Sequence, residues 1–188
     1  MANYVVDNKT EKKTCLLLWN PPSLDWVKLN VDGSMDPDSG SIAAGGVIRD
    51  HKKNWLGGFT LNKGMGSVIE VELWGIFEGL KIAWKAGYKK VIVETDSQMA
   101  VLLLKDKTPL NHPFFSIIQA CKALMEDDWS CHIVHIYREC NKVVDCLAGI
   151  GHSLDFGITL FEDPPPQISS ALNNDAMGIP SARLVPSS

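Results

Sequence analysis

No run of apolar residues in this chain approaches the roughly 20 needed for a helix to span a bilayer. The first stretch, Met1 to Thr14, is polar and has no apolar centre of the kind a secretory signal carries. A soluble, intracellular protein with no membrane partner is expected. Nucleus and cytoplasm both stay open, because the basic pair Lys12-Lys13 is too short for a nuclear signal. Paired cysteines are missing too. Cys15, Cys121, Cys131, Cys140 and Cys146 are odd in number, with no CxxC and no Cys/His set at zinc-ligand spacing. Free thiols in a reducing compartment are expected. Net positive charge is absent: 18 Lys and Arg stand against 22 Asp and Glu, a formal charge of -4. That excludes affinity for nucleic acid through bulk charge, though not a local basic surface. Covalent Ser or Cys chemistry has no supporting motif.

What is present suits one packed domain with some extra chain: 188 residues, 45% hydrophobic and 21% charged. The most informative stretch is Val27-Lys28-Leu29-Asn30-Val31-Asp32-Gly33-Ser34. Its strict alternation predicts a strand with one buried face, running into a turn at Gly33-Ser34. Two further strands, Ile42 to Arg49 and Trp55 to Leu61, complete an antiparallel meander. Gly45-Gly46 in the second suggests a bulge or a close backbone approach. The spacing then changes. Ile69, Leu73, Ile76, Phe77, Leu80, Ala83 and Trp84 predict a long helix, with Ser67 as N-cap, Glu70 as capping-box partner and Gly87 as the stop. A buried strand over Lys89 to Thr95 follows. After it come a short helix capped by Ser97, a helix over Phe114 to Met125, a strand over Ser130 to Tyr137, and a last helix over Lys142 to about Ile150 capped by Asn141.

The order β-β-β-α-β-α-α-β-α predicts an α/β fold. Its core is a five-stranded mixed sheet, three antiparallel strands followed by βαβ units, with helices on its faces. The expected organisation is a leader over 1–25, a domain over 26–153 and a Pro-rich tail with little fixed structure over 154–188.

Four acids stand out. Asp32 ends the first strand and Asp96 the fourth, Glu72 lies early in the long helix, and Asp145 lies one turn into the last helix. Alone, Asp32 reads more simply as a solvated acid before a turn. Glu70 and Glu72 flank the apolar stripe about equally, and the capping role of Glu70 leaves Glu72 for a site. Ligands of open α/β sheets bind outside the carboxyl ends of strands, where these four acids can converge. Without cations they repel one another. An all-oxygen donor set suits magnesium or manganese, and two such ions about 3.5–4 Å apart are one solution to phosphodiester cleavage.

The segments Val31-Asp32-Gly33-Ser34, Val71-Glu72-Leu73-Trp74, Thr95-Asp96-Ser97-Gln98 and Arg138-Glu139-Cys140-Asn141-Lys142-Val143-Val144-Asp145 resemble the four signature segments of type 1 ribonuclease H. The wording is closest to plant ribonuclease H-like domains related to non-LTR retrotransposon reverse transcriptases. The resemblance covers about 26–152 and implies a ribonuclease H-like fold. It also implies a metal-dependent endonuclease, a monomer here, that cuts the RNA strand of an RNA–DNA hybrid. By that resemblance Asp32, Glu72, Asp96 and Asp145 are the catalytic metal ligands, for Mg2+ or Mn2+. Gly33 and Ser34 lie near RNA 2′-hydroxyls, and Ser97, Arg138 and Asn141 are further substrate-contact candidates. His135 has the offset of a catalytic histidine found in many members, but it sits in an alternating strand. Val68, Val71 and Gly75 depart from the family pattern, and no basic, Trp-containing protrusion is evident. Lys81, Lys85, Lys89 and Lys90 form a modest basic surface whose simplest role is solubility. A competing reading is a non-catalytic, retroelement-derived binding module. The intact set of four acids counts against it, because mutually repelling acids tend to be lost once catalysis is. A phosphatase using Asp32 as nucleophile would want a second Asp at the position Ser34 occupies.

Overall fold

A period-2 strand and a 3.6-period helix have to be buried against each other, and one twisted sheet carries the result. The computed structural model describes residues 12–186. The strands are β1 (Lys12–Leu17), β2 (Val27–Met35), β3 (Ser41–Arg49), β4 (Trp55–Met65), β5 (Lys90–Thr95), β6 (Ser130–His135), β7 (Gly157–Phe161) and β8 (Ser181–Pro186). The helices are α1 (Val68–Lys85), α2 (Gln98–Lys105), α3 (Phe115–Met125), α4 (Lys142–Gly151) and α5 (Ser169–Met177). Between residues 27 and 151 the expected order of elements is present.

The main sheet runs β6-β5-β2-β3-β4-β7. It is antiparallel from β2 to β7 and parallel from β2 through β5 to β6. The sheet therefore has six strands rather than the expected five. The sixth, β7, comes from the region expected to be a loose tail, pairing Gly58↔Phe161 through Asn62↔Gly157 on the edge of β4. That region also forms α5 and β8, and β8 pairs antiparallel with β1 from the expected leader, Lys12↔Pro186 to Leu17↔Ser181. Long-range pairing of this kind leaves almost no local signal, and the exposed Ile158 and Leu160 of β7 give an edge strand little apolar pattern toward the core. Residues 1–11 of the expected leader and 187–188 of the tail lie outside the described residues.

Helix α1 starts where Ser67 accepts a hydrogen bond from the Glu70 N–H. It lies very close to the sheet. A Cβ at Gly75 would come within 2.8 Å of Val31 Cγ1 and 2.9 Å of Ala44 Cβ, so the departure from Ala at this position is what lets helix and strands touch. Helix α4 covers the opposite face just as tightly, with a Cβ at Gly45 falling 2.5 Å from the Ala148 nitrogen. The glycine pair in β3 thus marks a close approach, and the register shifts of that strand lie elsewhere, at Ile42/Ala43 and Ile48/Arg49.

The larger core sits between the sheet and α1, α2 and α3, around Leu29, Val31, Leu73, Ile76, Leu80 and Ile118. A smaller one lies under α4, with Val47, Val144, Leu147 and Ile168. Strand β2 was expected to bury one face only. Both are largely buried, because α4 and the termini cover its polar side, where Asn30 is inaccessible, Asp32 opens only to a cleft and Lys28 is half-buried. Buried polar groups need partners, and the partners found along this face define the site.

Candidate active site

The parallel register of β2 and β5 pairs Asn30 with Glu94, so two residues further on Asp32 and Asp96 leave the sheet side by side. Glu72 reaches them from the second turn of α1. Its carboxylate accepts the Gly33 backbone N–H and the Thr95 hydroxyl, the latter at 3.3 Å. One oxygen from each of Asp32, Glu72 and Asp96 can be chosen so that all lie within 4.8 Å of one another. Asp32 is 5% exposed and Glu72 3%.

Burial without a cation has a predictable electrostatic result. Desolvation, then repulsion by Asp96 and Glu72, pushes Asp32 up to about 9. Desolvation, then Asp96, pushes Glu72 up to about 8, although the bonds from Gly33 and Thr95 pull the other way. Carboxylates this costly to ionise, with oxygen as their only donor atom, fit a hard divalent cation. Asp145 lies on α4 at the rim of the same cleft, where Arg138 Nη2 donates to it at 2.9 Å. It stands outside the three-acid cluster yet still adds to the repulsion felt by Asp32.

The cleft has a volume of about 410 Å³. Its walls include all four acids together with Gly33, Ser34, Ser97 and Arg138. Ser97 also caps α2 through the Ala100 N–H. Asn141 is placed differently. It is buried behind the cleft, where its amide donates to the Val31 carbonyl at 2.9 Å and its oxygen accepts from Asn30 at 3.3 Å. It starts α4 without a side-chain cap bond. Glu70 lies outside the three-acid cluster. His135 ends β6, exposed and edge-on to Tyr137 at 6.1 Å, outside the cleft walls. Lys81 is engaged with Glu78, and Lys89 lies over Trp84.

Sequence reasoning passed over Thr95 and Asn30. Thr95 adjoins Asp96 and stands at the strand end, a position from which a hydroxyl can reach a neighbouring acid. Asn30 shares a strand face with Asp32 at i, i+2, so the same alternation that marked Asp32 could have marked it.

Comparison with known proteins places these features in context. Residues 30–150 match the family model described as reverse transcriptase-like. Over 160 residues, 85% of the chain, the sequence is 39% identical to an Arabidopsis thaliana protein provisionally named a ribonuclease H protein. The chain spans about a quarter (26%) of that relative's length. Ribonuclease H1 from Halobacterium salinarum superposes with a TM-score of 0.62 at 20% identity, over 68% of this chain and 98% of that one. A ribonuclease H1 solved in complex with an RNA/DNA hybrid superposes with a TM-score of 0.58 at 22% identity, over 66% and 94%.

Proposed function

This chain belongs to the reverse transcriptase-like family and has a ribonuclease H-like fold, and on that premise we propose that it is a metal-dependent endonuclease hydrolysing the RNA strand of RNA–DNA hybrids. The observation that carries the reading is the convergence of Asp32, Glu72 and Asp96, the first two buried and none with a basic partner, in a cleft whose rim holds Asp145. Bound Mg2+, or Mn2+, would activate the attacking water and stabilise the leaving 3′ oxygen in an in-line displacement. Asp32, Glu72 and Asp96 would hold the cation, and the bonds from Gly33 N–H and Thr95 orient Glu72. Asp145 would complete the set, and Arg138, 71% exposed and bonded to Asp145, is placed where it could meet a phosphate of the RNA strand. Gly33 and Ser34 both line the cleft and are the groups proposed to lie nearest a ribose. Ser97 faces the cleft from the start of α2, and Asn141 braces β2 beneath it.

The unit bearing this activity works as a monomer. The family match and the Arabidopsis relative support a plant retroelement origin. Among the described residues no helix is long and apolar enough to cross a membrane.

The test is cleavage of a labelled RNA–DNA hybrid in Mg2+ or Mn2+, beside an EDTA control and the Asp96→Asn variant. Cutting of the RNA strand alone, abolished by EDTA and reduced at least about 10²-fold by the substitution, is expected. A folded, metal-supplied protein that binds the hybrid and leaves it intact would be a binding module instead.

A further inference from the structure

Ser34 lies on the same face of β2 as Asp32 and opens onto the cleft, and a chain of hydrogen bonds runs from it away from the acids. Its Oγ is 3.2 Å from His152 Nε2. His152 Nδ1 is 3.0 Å from Ser41 Oγ, Ser41 Oγ is 3.1 Å from Ser39 Oγ, and Ser39 Oγ is 2.7 Å from Asp36 Oδ2. His152 follows the last turn of α4 and bridges the start of β3 to the end of β2.

The distances admit either ring tautomer, and one assignment of the protons satisfies every contact of the chain at once. Asp36 is a carboxylate, held below the ordinary range by the Ser39 hydroxyl, and it can only accept. The single Ser39 proton therefore goes to Asp36. Ser39 Oγ already accepts the Ser41 N–H at 3.2 Å, and it accepts the Ser41 hydroxyl proton as well. With the ring neutral and the Ser41 proton so placed, Ser41 Oγ accepts from His152 and the ring proton is on Nδ1. Nε2 is left bare, so Ser34 donates its proton to it. The lone pairs of Ser34 Oγ are the part that remains toward the cleft.

We propose that His152 is a positioning residue that holds the Ser34 hydroxyl as a hydrogen-bond acceptor, making this point of the cleft selective for a ligand group that donates, a ribose 2′-hydroxyl. The identity of the ligand rests on the nuclease reading; the direction of the chain does not. A phosphate oxygen accepts only and finds no partner in Ser34, and a 2′-deoxyribose offers nothing there. Discrimination at this point thus comes from proton placement along the chain from Asp36, four links away, and it requires an intact Asp36-Ser39-Ser41 arm.

Two measurements on the full chain decide it. Long-range 1H–15N correlation of the histidine rings should find His152 protonated on Nδ1, and Ser41→Ala should move that proton to Nε2. For ligand choice, the KM for a natural RNA–DNA hybrid is compared with the inhibition constant of the same hybrid bearing 2′-fluorines, which accept but do not donate. Ser41→Ala and His152→Phe should each shrink the preference for the natural hybrid by about fivefold, the worth of one neutral hydrogen bond, with kcat little changed. Wild-type His152 protonated on Nε2 overturns the proposal whether or not the protein cuts hybrids. An unchanged preference in Ser41→Ala, in a wild-type enzyme that cuts, overturns it as well. A wild-type protein that cuts nothing but shows the Nδ1 proton refutes the nuclease reading and upholds the polarised chain.

Discussion

Two buried acids on neighbouring strands, Glu94 and Asp32, meet opposite treatment. Glu94 is 3% exposed and fully partnered: Lys28 pairs with it, the Trp19 indole donates at 2.9 Å and the Asn30 amide at 2.8 Å. Arg49 extends the network, stacked on Trp19 with its carbon 3.4 Å from the ring centroid and donating to Asn30 and Asp175. Among the described residues only Arg49 Nε is left without a partner there. Asp32, on the same face of β2 as Lys28 and Asn30, receives no cation, and its nearest charged neighbours are other acids. The fold thus neutralises a buried carboxylate where the role is structural. A short distance along the same strands it leaves three uncompensated, which makes the second place receptive to a cation from solution.

The largest test of this contrast removes the compensated acid. Glu94→Ala leaves Lys28, Trp19 and Asn30 facing a hole and should destabilise the fold by about 3–5 kcal/mol in denaturant titration, with or without Mg2+. Asp32→Asn should do the reverse. Without divalent metal it relieves repulsion and raises stability by on the order of 2 kcal/mol, while abolishing the stabilisation that Mg2+ gives the wild type. If both substitutions destabilise equally, the two sites are not different in kind.

The pH response sharpens the same point. The folded-state pKa of Asp32, about 9, lies above its unfolded value of 3.8, and Glu72, about 8, lies above 4.5. Between those limits the folded protein holds protons that the unfolded chain has lost. The site's contribution to metal-free stability is therefore full near pH 4 and declines as pH rises toward 9. The melting temperature without metal should fall across that window, Mg2+ should recover most of the loss at the alkaline end, and Asp32→Asn should flatten the slope. The smallest effect is expected at His135. It stands outside the cleft, so His135→Ala should leave hybrid cleavage far short of the roughly 10²-fold loss that removing a general acid or base causes.

The legible parts of this molecule share one property: their signal is local. Asp32, Glu72 and Asp96 each sit in a short segment whose periodicity fixes a strand end or a helix face, and the parallel register then brings them together. The alternation of β2 and the stripe on α1 were readable for the same reason. The stretch after residue 153 was not. Strand β7 borrows its partner from β4, and the polar helix α5 is held by long-range contacts, Arg49 to Asp175, Lys53 to the Asp175 and Ala176 carbonyls, and Ala171 and Leu172 against the core under α4. Neither leaves a pattern within its own segment. Asn141 misleads in a related way. Its position before α4 reads as a cap, whereas its side chain is spent on the Val31 carbonyl.

The pairing of β1 with β8 has a mechanical consequence. Lys12 and Pro186 form its outermost rung and Leu17 and Ser181 its innermost. A pull on the chain at 12 and 186 therefore loads the rungs in series, and the pair opens like a zipper, one rung at a time, at low force. As it opens, the Arg183–Glu139 bridge beside the Arg138 turn is drawn away with it. Tension applied from outside the domain would thus reach the rim of the cleft before it reached the six-stranded sheet.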